Sequence, residues 1–170
     1  MHRVHPPWHP NIKKLGEILI RPAQAEDATG ILRCLAAAFE PYRREYTPEA
    51  YSDTVLDAAS LARRMRQMHL VVALSGKEIS GTVAGWFADG DGHLRGMAVL
   101  PEWSGTGLAA ALLRTIEGWL RGSGCRLVRL DTTLPLEAAM KFYEKNGYHR
   151  SGRIADFFGM PLVEYVKEFS

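Results

Sequence analysis

A mixed α/β fold, with a mostly antiparallel central sheet of about six or seven strands flanked by about four helices, is what this sequence predicts. Three observations carry the expectation. The apolar runs Leu70–Leu74, Ile79–Ala88 and His93–Leu100 are separated only by the short turns Ser75-Gly76-Lys77-Glu78 and Asp89-Gly90-Asp91-Gly92. Strands joined so tightly pair antiparallel, as a meander. A helix-period run over 106–121 then stands between the third of these strands and another, Arg126–Thr132, and a strand–helix–strand unit of this length pairs its strands in parallel. The last twenty or so residues close the sheet, with Leu162-Val163-Glu164-Tyr165-Val166-Lys167 alternating at its end.

Taken in order, residues 1–17 read as an N-terminal arm, mobile or loosely docked. Pro6, Pro7 and Pro10 oppose regular structure there, and His2, His5 and His9 have no helix to fix a metal-ligating spacing. No metal site is therefore assigned. Ile18-Leu19-Ile20-Arg21 is the first strand, stopped by Pro22. Glu26-Asp27 open a helix whose apolar positions Ile31, Leu32, Leu35, Ala38 and Phe39 keep the helical period, with acidic residues suiting the dipole. Pro41 closes it, and Pro48 starts a second helical stretch running through Met68. After the meander, Leu108, Leu112, Ile116, Trp119 and Leu120 make one apolar stripe, ended by Gly122-Ser123-Gly124. Pro135 and Glu137 suit the first turn of the last helix, which carries Ala139, Phe142 and Tyr143 and stops at Asn146-Gly147.

With 170 residues, 46% apolar and 24% charged, the chain has the size and composition of one globular domain. A formal net charge of +2 is too small to point to nucleic acid. No apolar run approaches the length of about 20 residues that a membrane span needs, and the N-terminus lacks the apolar centre of a signal peptide. The two cysteines, Cys34 and Cys125, belong to no shared motif; reduced thiols and a cytoplasmic location are expected.

The stretch 97–113 organises the rest. Met97-Ala98-Val99-Leu100 ends a strand, Pro101 to Gly107 form a turn closing on two glycines, and an apolar helix follows. The first turn of a helix leaves backbone N–H groups unpaired, and glycine lets an anion approach them closely. A phosphate cradle made of main chain is the physical reading. A P-loop would need Lys and then Ser or Thr after the second glycine, where Leu108-Ala109 stands. A dinucleotide fingerprint is a closer rival, since Gly105-Thr106-Gly107-Leu108-Ala109-Ala110 fits G-x-G-x-x-A and Asp131 follows at about the right distance. Against it, Pro101 to Ser104 part the strand from the first glycine, and too few residues remain for a doubly wound sheet. A glycine turn that only caps a core helix is the plain structural alternative.

The run Val99-Leu100-Pro101-Glu102-Trp103-Ser104-Gly105-Thr106-Gly107-Leu108-Ala109 resembles the acetyl-CoA motif of the GNAT superfamily of N-acetyltransferases, Gln/Arg-x-x-Gly-x-Gly/Ala after a Val-x-Pro strand end. Ser104 replaces the usual Gln or Arg; Gly107 and Ala109 match. The run from Ala138 to Tyr148, with Phe142-Tyr143 and Gly147-Tyr148, resembles the family's second motif, Ala-x-x-Phe-Tyr-x-x-x-Gly-Phe/Tyr, although Leu136 stands where Asn is common. The opening Ile20-Arg21-Pro22-Ala23 with Glu26-Asp27-Ala28 resembles the family's first strand and helix, so the resemblance spans a single domain over residues 18–170.

The resemblance implies acetyl transfer from acetyl-CoA to a primary amine of a small molecule or peptide. It places the diphosphate on the N–H groups of Ser104, Gly105, Thr106, Gly107, Leu108 and Ala109, and the pantetheine beside Met97, Ala98 and Val99, with Ala139 and Tyr143 across the cleft. Val99 N–H is the oxyanion donor and Tyr143 the acid that protonates the leaving thiolate; a phenol pKa of about 10 lies near that of the thiol. For the base, Asp131, Glu45 and His93 are candidates, as is a water chain, with Asp131 and Glu45 ranked together. Tyr42, Arg43, Glu45 and Tyr46, between the first two helices, are candidate substrate contacts, and Phe157-Phe158-Gly159 resembles the hairpin that walls the acceptor site. The resemblance also allows a homodimer through the final strand. A non-catalytic acyl-CoA sensor is the alternative from another class.

Overall fold

The computed structural model describes residues 17–170. The rest of the expected N-terminal arm, with His2, His5 and His9, lies outside them. Seven strands and five α-helices follow in the order β1 (Ile18–Pro22), α1 (Ala28–Phe39), α2 (Pro48–Thr54), α3 (Ala58–Gln67), β2 (His69–Ser75), β3 (Glu78–Ala88), β4 (Asp91–Val99), α4 (Leu108–Gly122), β5 (Leu127–Thr133), α5 (Glu137–Lys145), β6 (His149–Phe157) and β7 (Met160–Glu168). They form one sheet in the order β1-β2-β3-β4-β5-β7-β6. Every neighbouring pair is antiparallel except β4–β5. Both the expected meander and the expected parallel joint are present.

Two expectations are corrected. The helical stretch over 48–68 is two helices, because Val55 leaves helical geometry and Asp57 caps α3 through a reciprocal box with Ser60. The apolar period runs on across that break and hides it. The final strand has no free edge for a dimer, since β7 lies between β5 and β6; the open edges of the sheet are β1 and β6.

Alternate residues of β3 face opposite sides of the sheet, and each side has its own cover. Gly81 and Gly85 lie under α4, so closely that a Cβ on Gly85 would meet Ile116 at 2.9 Å. Thr82 and Ala84 face Ile31, Leu35 and Leu61 from α1 and α3. On α4 the residues Leu108, Leu112, Leu113, Ile116 and Leu120 are all 1% exposed or less, and each such side chain contributes about 1.5–3 kcal/mol. The chain after α5 is tied to α4 by a buried polar cluster. Tyr148 Oη donates to Glu117 Oε2 at 2.8 Å and Lys167 Nζ bonds the same carboxylate at 3.0 Å.

The feature that positions the site is the joint between β4 and β5. They pair only from Asp91–Leu127 to Leu94–Leu130, although β4 continues to Val99 and β5 to Thr133. On its other side β4 also slips: Thr82 pairs with Ala98 but Ala84 with Arg95, which leaves one extra residue in β4. Gly96 takes up that bulge at φ +67°, a left-handed conformation that glycine adopts without a Cβ clash. A bulge bends its strand and increases local twist. Beyond Leu94 the two strands part, and a cleft opens between them.

Candidate active site

The glycine turn stands at the mouth of this cleft. Pro101–Trp103 make one 3-10 turn, and the hydrogen bonds Ser104 N–H to Pro101 O (3.1 Å) and Thr106 N–H to Trp103 O (3.3 Å) fold the loop on itself. Thr106 Oγ1 donates to Trp103 O and accepts from Leu108 N–H. Gly105 and Gly107 sit at φ +73° and +90°, Gly107 as the N-cap of α4. Helix α4 thus begins two residues later than the periodicity over 106–121 predicts. Ala111 N–H is the first of the helix to bond back to a main-chain carbonyl, Gly107 O.

Of the six donors expected from Ser104 to Ala109, those of Ser104, Thr106 and Leu108 are engaged within the loop, and the Leu108 side chain is fully buried. Those of Gly105, Gly107 and Ala109 make no hydrogen bond among the described residues, and neither does that of Ala110, which the motif did not single out. All four residues line the cleft. Four unpaired N–H groups at the positive end of a 15-residue helix form an anion cradle.

The cleft has a volume of about 1430 Å³, enough for a nucleotide-sized molecule together with a small second one. Met97, Ala98 and Val99 form one wall, along the part of β4 that β5 does not pair. Ala139 and Tyr143 from α5 form the other, with Leu136 beside them. Tyr143 is 7% exposed, its ring held edge-to-face by Phe142 and Tyr148. Its hydroxyl makes no hydrogen bond among the described residues, and burial raises its pKa above the usual phenol value. The group stays protonated. The cleft thus brings together free amides, an open strand edge and a phenol without a hydrogen bond among the described residues.

The other end of the cleft gathers side chains from distant segments. Tyr42 and Tyr46 line it, and Tyr46 Oη shares a 2.6 Å hydrogen bond with Thr133 Oγ1. Arg43 and Glu45 do not. In the 3-10 segment Glu40–Glu45 and at Tyr46, which ends it, the tyrosines turn inward, and the charges stay in solvent because burying them costs far more. Arg43 is taken up by Glu40 at 3.1 Å and by the Tyr51 ring at 4.5 Å. Of the base candidates, Asp131 and His93 reach the cleft and Glu45 does not. Asp131 is open to solvent along the cleft yet has protein on several sides. Desolvation, and then Glu164 directly across β7, raise its pKa, while His93, Arg153 and Arg95 lower it less. Phe157 of the closing hairpin also lines this end, and Thr47 Oγ1 ties the hairpin down through Phe158 O at 2.8 Å.

Sequence reasoning missed Asp53, Arg64, Trp86, Arg95 and Gly96, all of which line the cleft. Gly96 had a signal, an isolated glycine inside a strand run, which marks a bulge. The others had none, because an arginine or a tryptophan on a regular element reads as surface or core.

A 3-10 and glycine turn feeding a helix, a splayed parallel joint, a bulged strand and a tyrosine lining the gap define an acyl-CoA-type acyltransferase fold. The profile of the Acetyltransferase (GNAT) family matches residues 32–148, and the chain belongs to that family. An aminoglycoside N(6')-acetyltransferase type 1 from Stenotrophomonas maltophilia is 34% identical over 71 residues, which are 42% of this chain and 46% of that protein. The matched stretch is thus under half the length of this relative. Among solved structures, the PaiA N-acetyltransferase of Thermoplasma acidophilum in complex with coenzyme A has a TM-score of 0.75 at 17% identity, over 89% of this chain and 99% of that one. The ribosomal-protein-S18-alanine N-acetyltransferase of Escherichia coli has a TM-score of 0.74 at 14% identity, over 90% and 94%. These two are likenesses of fold.

Proposed function

We propose that the protein is an N-acetyltransferase that moves the acetyl group of acetyl-CoA directly to a primary amine of a small molecule or peptide. One observation carries the reading. Gly105, Gly107, Ala109 and Ala110, with their free amides, line the same cleft as Tyr143, whose hydroxyl has no hydrogen bond among the described residues.

Bound acetyl-CoA supplies an activated thioester and a thiol leaving group. The amides at the start of α4 hold the diphosphate, and Met97, Ala98 and Val99 orient the extended arm along the unpaired part of β4. Asp131, or His93 beside Trp86 with ring centroids 5.1 Å apart, takes a proton from the incoming ammonium directly or through water, leaving a neutral nucleophile. As the amine nitrogen bonds to the carbonyl carbon, Val99 N–H donates to the oxygen on which charge builds. As the carbon–sulfur bond breaks, the Tyr143 hydroxyl gives its proton to sulfur, and the second proton shed by the nitrogen as the amide forms returns, through water, to the phenolate. Transfer through a cysteine is disfavoured: Cys34 lies outside the cleft and burial pushes its thiol pKa up to about 12.

Incubation with acetyl-CoA and a panel of amines, read as thiol release and as N-acetylated product, tests the proposal. Coenzyme A should also raise the melting temperature while NAD should not. Coenzyme A binding without thiol release from any amine would replace the enzyme with an acyl-CoA sensor.

A further inference from the structure

Arg64 differs from every other charged residue of the cleft. It lies on the last turn of α3 and is only 9% exposed, yet it lines the cleft. Its Nη1 rests against the β4 bulge, where a Cβ on Gly96 would come within 2.6 Å of it. Among the described residues its guanidinium makes no hydrogen bond and no ion pair. Asp53, whose field it feels, is bound by Arg95 at 2.6 Å. The stem of Arg64 is buried, but its guanidinium nitrogens are not among the buried atoms that lack a partner, so they open on the cleft without a protein acceptor. Burial and then the neighbouring Arg95 lower its pKa to about 10, which leaves it charged at neutral pH. A planar fork on a buried stem, with its donors free toward a cleft, is suited to bidentate recognition of a carboxylate.

We propose that Arg64 binds a carboxylate on the acceptor, so that the amine to be acetylated belongs to an amino-acid-like molecule rather than to a polycation. This rests on the acetyl-transfer reading above. The diphosphate cradle is not the source of the anion: β4 alone carries the chain about 10 Å from Gly96 to Val99 before the glycine turn begins. Arg64, Arg95 and Asp131 line the same cleft, and the charge of Arg95 acts on both of the others. Because Arg64, Asp131 and the free edge of β4 line one cleft, a molecule with its carboxylate on Arg64 can present its amine toward Asp131 and the thioester. Tyr42, Tyr46, Trp86 and Phe157 leave an aromatic wall for its side chain. A purely cationic amine, such as an aminoglycoside, meets the uncompensated charge of Arg64 instead.

The test pairs free acids with their carboxamides: L-phenylalanine, L-methionine, L-lysine and 4-aminobutanoic acid, with an aminoglycoside as the cationic comparison. The wild type should favour the acids by at least about tenfold in kcat/KM, the scale of a hydrogen bond to a charged group. Arg64→Met should bring that ratio close to one, mainly through KM, and Arg64→Lys should keep part of it. Thermal shift of the coenzyme A-saturated protein by the same compounds reads recognition without turnover, so it decides the matter even where no acetyl group moves. Arg64→Met should fold about as stably as wild type, because it keeps the buried apolar stem and removes a charge that has no protein partner; should it not fold, Arg64→Lys and the wild-type acid-to-amide ratio still decide. Equal handling of acid and amide, or a preference that survives Arg64→Met, would overturn the assignment and leave Arg64 paired with water. Absence of thiol release with all amines, alongside an Arg64-dependent thermal shift by the acids, would remove acetyl transfer and keep the carboxylate site.

Discussion

Replacing Tyr143 by Phe removes one oxygen atom, and its surroundings say what that atom is for. The ring is held by Phe142 at 5.3 Å and Tyr148 at 5.7 Å between centroids, contacts that phenylalanine keeps. The hydroxyl has no hydrogen-bond partner among the described residues, so its loss strands no buried group. The stability change should therefore stay within about 0.5 kcal/mol, a shift in Tm of no more than about 2 °C for a domain of this size. Loss of the proton donor to the departing thiolate should lower turnover at least tenfold, a barrier increase of about 1.4 kcal/mol or more. Affinity for coenzyme A should be nearly unchanged. The assay is thiol release in single-turnover mode with saturating acetyl-CoA and an accepted amine, so that product release does not mask chemistry. Because burial raises the phenol pKa, the wild-type rate should show no decline from Tyr143 ionising below the usual phenol value. Unaltered turnover in Tyr143→Phe would take the acid role away from it, and a large fall in Tm would show that the hydroxyl is structural.

Three further outcomes follow from the same geometry. Gly105→Ala places a Cβ in open space at φ +73°; the strain costs about 1–2 kcal/mol, and calorimetry should find coenzyme A bound at least about tenfold more weakly, whereas unchanged affinity would detach this turn from the cofactor. Tyr148→Phe leaves Glu117 with Lys167 alone and should cost about 1–2 kcal/mol by chemical denaturation, with activity retained well below Tm; loss of activity in a stably folded variant would contradict its purely structural role. Asp131 has a raised pKa in the folded state, so its favourable contribution is complete below the unfolded carboxylate value and is lost as pH rises through the folded one. Asp131→Asn should therefore melt at or above wild type at pH 7, with the difference vanishing in acid, while slowing acetyl transfer; a lower Tm at pH 7 would refute the burial argument.

What was legible in the sequence was whatever one short segment decides by itself. The meander follows from turns too short to allow anything but antiparallel pairing, and the parallel joint from a helix interposed between two strands. The glycine turn was readable because its two left-handed residues and the proline before them are adjacent in the chain. Even there the reading counted donors by position. It could not see that the hydroxyl of Thr106 would occupy Leu108 N–H, or that Ala110, one residue past the motif, would be free. The break between α2 and α3 was missed for the opposite reason: the local cap at Asp57–Ser60 was present but lay inside a continuing apolar period.

The acceptor end is different in kind. Tyr42 and Tyr46 come from the link between α1 and α2, Arg64 from α3, Trp86 and His93 from neighbouring strands, Asp131 from β5 and Phe157 from the closing hairpin. No spacing within any one of these segments encodes their convergence. It results from the point at which β4 leaves β5, which is set in turn by the bulge at Gly96. That bulge does two things. It opens the edge of β4 along Met97 to Val99, where the reading places the thioester, and its missing Cβ gives Arg64 the room it occupies. Gly96→Ala therefore perturbs both functions through a single methyl group, because the new Cβ meets Arg64 Nη1 and stands at a φ that side chains avoid. If the cofactor arm and the acceptor's carboxylate are positioned by the same bulge, kinetics with this variant must show KM rising for both substrates. A rise confined to one of them would mean that the two halves of the cleft are set independently.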